Sequence, residues 1–366
     1  MFVFVITLYY ICSIVEFEMV KVKVKVKGNI TIRDVAREAG VSPALVSFVL
    51  INQGLGKRVY RVNELTEKRV LDVASKLNYH PNLSAKALKN GKTNTIGVIL
   101  SDISNPFFAE IARYIEDEAY KYNYSVIFGS TDEDPVKFRN IVKVMQEKGV
   151  DGLIVVPCEK TKVVISDMAR NRFPVVLIDR TLEGVDIPSI VLDNKMASKS
   201  INDILIEKGY HHIEMLSYSL SISNIMDREN GYLESMDSAG LSDFSHIHRI
   251  GHHEQKDVID EIINNARIRG VEAFLFATNS LAIQGMSTMF RKGFHVPQDF
   301  GIACFDYNSA FDIYDTDLVY ARQPVEQFAK ESILCILEQI RANAYKIEYD
   351  CSKMVILQPT IIRTGN

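Results

Sequence analysis

Paired cysteines are missing from this sequence. Its five, Cys12, Cys158, Cys304, Cys335 and Cys351, are odd in number and scattered, with neither the spacing of a disulfide framework nor a CxxC metal motif. That excludes a disulfide-stapled scaffold and makes a reducing cytoplasm the simplest compartment. A Gly-rich phosphate loop and a nucleophile elbow are also missing, so the Ser, His and Asp residues present have no frame in which to form a triad. Nothing here points to an enzyme or to a cofactor. Residues 1–15 are almost wholly apolar, but a membrane-spanning helix needs about 20 such residues. A signal peptide carries its basic stretch before the apolar run, whereas Lys21, Lys23, Lys25 and Lys27 follow it, and no small-residue cleavage site is evident. The expectation is a chain with no membrane association, translated from Met19, with residues 1–18 an upstream extension.

What is present is length and an uneven charge. The chain has 366 residues, 47% of them hydrophobic, enough for more than one core because compact domains run roughly 100 to 200 residues. Its net charge of -4 hides a division. Residues 21–92 carry 15 Lys or Arg against 5 Asp or Glu, a net of +10, whereas residues 93–366 carry 27 against 39, a net of -12. A basic end on an acidic body is the footprint of a protein that meets a polyanion with one module, although a solvated charged face is the plainer reading of charge alone.

The basic end contains three short helical patterns. Thr31 can cap a helix in which Asp34 reaches back as in a capping box, while Ile32, Val35, Ala36 and Ala39 recur at helical spacing. Gly40 ends that helix. Ser42 and Pro43 start the next, since Ser caps and Pro suits a first helical turn. On this second helix Leu45, Val46 and Val49 share one face, leaving Pro43, Ala44, Ser47 and Phe48 on the other. A projecting Phe48 either touches another part of the chain or enters the DNA major groove, where apolar groups meet thymine methyls. A third helix is expected from a Thr66 cap, with Val70, Val73, Ala74 and Leu77 inward. The connecting segment 52–64, with Lys57, Arg58 and Arg61, either contacts a backbone or hangs in solvent.

The run Thr-Ile-Arg-Asp-Val-Ala-Arg-Glu-Ala-Gly-Val-Ser at 31–42, with Val46-Ser47 and Asn78-Tyr79-His80-Pro81-Asn82, closely resembles the lactose/galactose repressor family of bacterial regulators. The resemblance runs from Thr31 through the C-terminal residues. It implies an all-α helix-turn-helix headpiece joined to an α/β core, similar to periplasmic binding proteins, of two doubly wound parallel-sheet subdomains. By it, residues 1–30 are an extension, 31–81 the DNA-binding domain, 82–93 a hinge and 94–366 the effector-binding core. Within that core, about 94–190 and 322–340 are expected in one subdomain, and about 191–321 and 341–366 in the other. The implied DNA-contacting residues are Thr31, Ser42, Pro43, Ala44, Ser47 and Phe48, then Asn82, Ala85, Lys86, Leu88 and Lys89 of a hinge helix that folds on DNA. Leu88 would wedge into the minor groove and bend the duplex, with the lysines set for phosphates. The family often has arginine at the place of Phe48, so a guanine-reading fork is absent there.

Beyond residue 93 short apolar runs alternate with helical stretches, at 96–100, 125–128, 152–156, 175–178, 213–216, 273–276 and 302–305, the signature of parallel sheets. Ligands of such folds sit beyond the carboxyl ends of the strands. Asp179 and Arg180, Thr278 and Asn279, and Asp306 follow strand ends. Each alone is as readily a cap or turn, but together they suit a polyhydroxylated, sugar-like ligand through paired hydrogen bonds. The resemblance adds Arg228, three before Gly231-Tyr232, as an effector grip, Asp306 as an acceptor, and Phe107 and Phe108 as pocket aromatics. Asp193-Asn194, after a strand at 190–192, matches a family motif expected to be structural. This chain departs from the family at Cys304-Phe305 and at Thr278-Asn279, where Asn-Asp is common, so one expected carboxylate is gone.

His246, His248, His252 and His253 cluster, but neutral histidines in a polar surface segment are commoner than a metal site. No metal is expected. A core of this kind alone would also suit an exported sugar-binding protein, or a sugar-converting enzyme if the cleft held an acid/base pair, but neither has use for residues 31–92. The reading is a regulator, expected to be a repressor, whose partners are double-stranded operator DNA and a small sugar-like effector. Because one headpiece reads a half-site, and 360–364 is strand-like with no heptad helix, a homodimer is expected, not a tetramer. Pro43, Ala44 and Phe48 offer no hydrogen-bonding fork, so specificity falls to DNA deformation at the hinge. Leu88→Ala is expected to weaken specific operator binding sharply, sparing the salt-dependent component, and Ser47→Ala to matter less. Titration of both variants against operator and scrambled duplex at two salt concentrations checks this. Retention of the wild-type specificity ratio by Leu88→Ala, with its loss in Ser47→Ala, would refute it.

Overall fold

The computed structural model describes residues 30–55, 59–79, 92–251, 255–312 and 317–364. These fall into two units, one up to Tyr79 and one from Lys92. In the first, α1 (Ile32–Ala39), α2 (Pro43–Leu55) and α3 (Glu64–Lys76) surround a core of Val35, Ala36, Ala39, Val46, Val49, Val70 and Ala74. Asp34 Oδ2 accepts from the Thr31 backbone N at 3.0 Å, and Gly40, at φ 67°, closes α1 in the left-handed conformation. Ser42 Oγ accepts from Leu45 N at 3.3 Å, which caps α2 as expected. The third helix starts two residues before the expected cap. Asn63, not Thr66, caps it, its Oδ1 accepting from Leu65 N at 2.9 Å.

The second unit holds two six-stranded sheets. Its elements begin with β1 (Thr95–Leu100), α4 (Pro106–Lys121), β2 (Ser125–Ser130), α5 (Pro135–Glu147), β3 (Gly152–Val155) and α6 (Lys162–Arg170). They continue with β4 (Val175–Ile178), β5 (Ser189–Leu192), α7 (Asn194–Glu207), β6 (Ile213–Tyr218), α8 (Ser223–Ser238) and β7 (Ser245–Ile250). Then come α9 (Gln255–Asn264), α10 (Ala266–Arg269), β8 (Ala273–Phe276), α11 (Asn279–Arg291) and β9 (Gly301–Phe305). The last are β10 (Leu318–Arg322), α12 (Val325–Tyr345), β11 (Met354–Leu357) and β12 (Thr360–Arg363).

The first sheet runs β11-β5-β4-β3-β1-β2, parallel throughout, and the second β12-β10-β9-β8-β6-β7, parallel except for the β10–β12 pair. Central strands such as β3, β4 and β8 are buried along their whole length, which is why they read as continuous apolar runs: helices cover both faces of a parallel sheet. These sheets correct the expected subdomain bounds. β5 pairs with β4 at Ser189 and Ile190 and with β11 along its whole length, so residues 191 and 192 belong to the first lobe, and β11, expected in the second, extends the first sheet. The chain thus crosses between lobes after β5, after β10 and between β11 and β12. Three strands, β7, β10 and β11, had gone unread. Among the described residues no helix is long and apolar enough to cross a membrane.

In the second lobe the Gly231 position of α8 lies against α7, where an added Cβ would stand 2.1 Å from the Lys195 carbonyl oxygen. Only glycine permits this approach. On β6 a buried Glu214 accepts from Arg269 Nε at 2.9 Å and lies 2.7 Å from His248 Nε2, with His212 Nε2 at 3.7 Å. The segment expected to be polar surface is therefore an edge strand whose His248 is committed to a carboxylate. His252 and His253 lie outside the described residues.

Burial alone would raise the Glu214 carboxyl, but the hydrogen bonds from His248 and Arg269 override it and hold it at about 2. The unfolded chain takes up that proton near the ordinary 4.5. The stabilisation is therefore complete above the unfolded value and is lost as pH falls through the folded one. Urea unfolding from pH 7 down to pH 2.5 is expected to show a steeper fall in stability for wild type than for Glu214→Gln. Parallel profiles would remove this group from the acid response.

Candidate functional site

Two surfaces carry the residues singled out by sequence, one in each unit. In the headpiece Ser42, Pro43 and Ala44 are exposed, Thr31 is exposed at the start of α1, and Ser47 and Phe48 are half-buried. Phe48 does not project alone. Its ring stacks on Tyr60 with centroids 4.2 Å apart and planes 16° from parallel. The reason lies one turn on, at buried Asn52, whose Oδ1 accepts from Val59 N at 2.9 Å and Tyr60 N at 3.0 Å while its Nδ2 donates to the Tyr60 carbonyl at 2.8 Å. A single amide side chain thus folds the far end of the connecting segment onto α2, adding Tyr60 to the face that bears Phe48. Of the expected hinge contacts, Asn82, Ala85, Lys86, Leu88 and Lys89 lie outside the described residues.

In the core a cavity of about 240 Å³ lies between the lobes. Phe107, Phe108, Asp179, Arg180, Arg228, Thr278 and Asp306 all line it. Asn279 does not. Thr278 caps α11, its Oγ1 accepting from Leu281 N at 3.3 Å, so the next residue along the helix turns inward and Asn279 is fully buried. Ser280 takes its place on the wall.

Arg228, from α8, is 2% exposed. Its Nε donates to Asn194 Oδ1 at 2.8 Å, its Nη1 to the Ala277 carbonyl at 2.7 Å, and its Cζ sits 3.9 Å over the Phe305 ring. Asn194 therefore orients the guanidinium as well as starting α7, while Asp193 caps that helix by accepting from Met196 N at 3.0 Å. Burial lowers the Arg228 pKa, against the pull of Asp306 and Asp179. Asp306, in the left-handed region at φ 67°, accepts from Gln323 Nε2 at 2.7 Å. Burial pushes its carboxyl up to about 6, opposed first by Arg228 and then by that hydrogen bond.

On the facing wall Asp179, at φ 69°, accepts from Asn224 Nδ2 at 2.9 Å across the cleft. Its carboxyl is likewise raised by burial, opposed by Arg180 and Arg228. Arg180 grips Glu133 with both Nη atoms, at 3.0 and 2.7 Å, and donates to the Pro157 carbonyl at 2.9 Å. Burial would lower its pKa, but the Glu133 carboxylate holds it above the ordinary value. The lobes are also joined by Thr181 N donating to Ser223 Oγ at 2.9 Å and Ser221 N to Glu159 Oε1 at 2.6 Å.

Sequence reasoning missed Glu133, Asn224 and Gln323. Glu133 and Gln323 follow strand ends that had been drawn short or left out, so the strand-end rule that found Asp179 and Asp306 would have reached both. Asn224 stands one helical turn before Arg228.

A helical headpiece on a two-lobed α/β core with a polar cleft defines a class: DNA-binding regulators controlled by a small ligand. Residues 31–82 match the profile described as bacterial regulatory proteins, lacI family, and residues 93–288 that of periplasmic binding proteins and sugar binding domain of LacI family. The chain belongs to this family and is a DNA-binding transcriptional regulator. It is 32% identical to the HTH-type transcriptional regulator RegA of Clostridium saccharobutylicum over 80% of this chain and 87% of that one. In fold it resembles the lac repressor dimer bound to operator and an anti-inducer, with a TM-score of 0.74 and 20% identity over 92% of this chain and 98% of that one. It also resembles a periplasmic binding protein/LacI transcriptional regulator from Alkaliphilus metalliredigens QYMF complexed with D-xylulofuranose, with a TM-score of 0.63 and 22% identity over 74% and 98% of the two chains.

Proposed function

We propose that this chain is a cytoplasmic repressor, acting as a homodimer on a pseudo-palindromic operator, whose grip on DNA is set by a sugar-like effector between the lobes and which performs no catalysis. The observation that carries the reading is the pairing of Asp306 and Arg228 on one wall with Asp179 on the other, each held in place by an amide side chain. Such groups meet the hydroxyls of a polyol in twos, and a ligand that touches both lobes stabilises one lobe arrangement over another. The D-xylulofuranose of the solved relative is a ligand of this kind. In the headpiece, Thr31, Ser42, Pro43, Ala44, Ser47 and the Phe48–Tyr60 stack would meet the duplex, with residues 82–93 as the hinge and Leu88 as its wedge.

The decisive experiment selects bound fragments from the source genome, then titrates the operator with and without neutral sugars. Arg228→Ala and Asp306→Ala are expected to leave operator binding intact and to abolish its response, each costing on the order of 1 to 3 kcal/mol of ligand affinity. Unchanged calorimetric affinity in both variants would refute the site. Light scattering at micromolar concentration is expected to give a dimer. A monomer or tetramer would overturn that part.

The raised Asp306 carboxyl adds a pH dependence. Hydroxyl donors favour its ionised form and so lower its pKa from about 6, which makes ligand uptake expel a proton in the window below that value. Affinity is expected to rise with pH, by up to about tenfold per unit within the window, and to level off above about 7. Asp306→Asn, titrated calorimetrically over the same range, is expected to lose this slope. A slope that persisted would assign it to another group.

A further inference from the structure

The turn between β2 and α5 is strained where it meets the cleft. Asp132 and Glu133, neither of them glycine or asparagine, stand consecutively in the left-handed region, at φ 53° and 59°. Such backbone persists only when its surroundings over-determine it, and it concentrates at functional positions. Here it delivers the Glu133 carboxylate to Arg180, whose two Nη atoms are both engaged by it. Among the described residues Arg180 and Arg228 are the cations lining the cavity, facing the carboxyls of Asp102, Glu133, Asp179 and Asp306. Arg228 already serves Asn194 and the Ala277 carbonyl, under the pull of Asp306 and Asp179.

We propose that Glu133 is a specificity-determining residue that makes this cavity take uncharged polyols and reject phosphorylated or carboxylated sugars. The proposal rests on the reading of the cavity as an effector site and deepens it. A guanidinium fork is the strongest side-chain partner for a phosphate or carboxylate, and Glu133 occupies both Nη atoms of Arg180, leaving only its buried Nε, 3.3 Å from Asp179 Oδ2. An incoming anion would also meet the surplus of carboxyls in a low-dielectric site, where like charges repel far more than in water. A neutral hydroxyl meets no such penalty and finds acceptors in place. One of these is Gln323 Oε1, a buried lining atom with no partner. The cavity, about 240 Å³, has room for a sugar ring.

The test uses the full chain and its selected operator. Calorimetry and operator release are measured with ribose, xylose, glucose, galactose and fructose, with phosphate monoesters of the same sugars, and with the matching uronates. At least one neutral sugar is expected to bind and to alter operator affinity, with its anionic counterparts weaker by at least about 100-fold. Tight binding by a phosphate ester or uronate would overturn the proposal and leave the regulator reading standing. If no member of either class binds or changes operator affinity, both fall. In Glu133→Gln, checked for folding by its thermal melt, the gap between anionic and neutral ligands is expected to narrow by about tenfold or more, since Arg180 is released. In Glu133→Asp, which keeps the charge, the exclusion is expected to persist. An unchanged gap in Glu133→Gln would remove Glu133 from the selection, whatever the wild-type panel gave.

Discussion

A guanidinium taken out of water keeps its charge only if the fold supplies partners for it, and Arg228 obliges the second lobe to do so. Its partners come from separate elements: the start of α7 through Asn194, the end of β8 through Ala277, and the end of β9 through Phe305. α8 can bring Arg228 to them because Gly231, one turn later, lets it lie against α7. The cleft is thus a consequence of how one cation is satisfied. Asp306 follows from the same constraint, since its own burial is tolerable beside Arg228 and Gln323.

The two-lobed plan was legible because parallel strands buried on both faces leave continuous apolar runs, and their carboxyl ends point to the ligand. Asp179, Arg180, Thr278 and Asp306 came from that rule, whereas Arg228, Phe107 and Phe108 came from family resemblance. What stayed hidden had weaker local signals. β7 is interrupted by histidine and arginine, whereas β11, Met354–Leu357, is a four-residue apolar run whose exposure marks it as a sheet edge and not a central strand. Asn279 was placed on the wall because sequence does not say which way the residue after a cap turns. Glu133 was hidden twice over: β2 runs to Ser130, beyond the stretch that had been read, and nothing in Asp-Glu announces a left-handed turn.

In the headpiece the sequence offered two accounts of Phe48, contact within the chain or contact with DNA, and the stack on Tyr60 is the first of these. Paired rings present a broader and stiffer apolar surface than one phenylalanine, at no further cost in side-chain ordering once both are fixed. Asn52 does the fixing with three backbone hydrogen bonds from one amide. Val59 and Tyr60, at the far end of the connecting segment, are thereby held against α2.

The hydrogen bonds that span the lobes have a kinetic meaning. Asn224 to Asp179, Thr181 to Ser223 and Ser221 to Glu159 are all made across the cleft, beside the cavity. A ligand that enters by parting the lobes has to break these bonds first. For such a ligand, entry and release would follow lobe separation rather than diffusion to the surface. The hydrogen bonds that span the lobes, Asn224 to Asp179 among them, would thereby tie the residence time of a cleft ligand to the opening of the lobes.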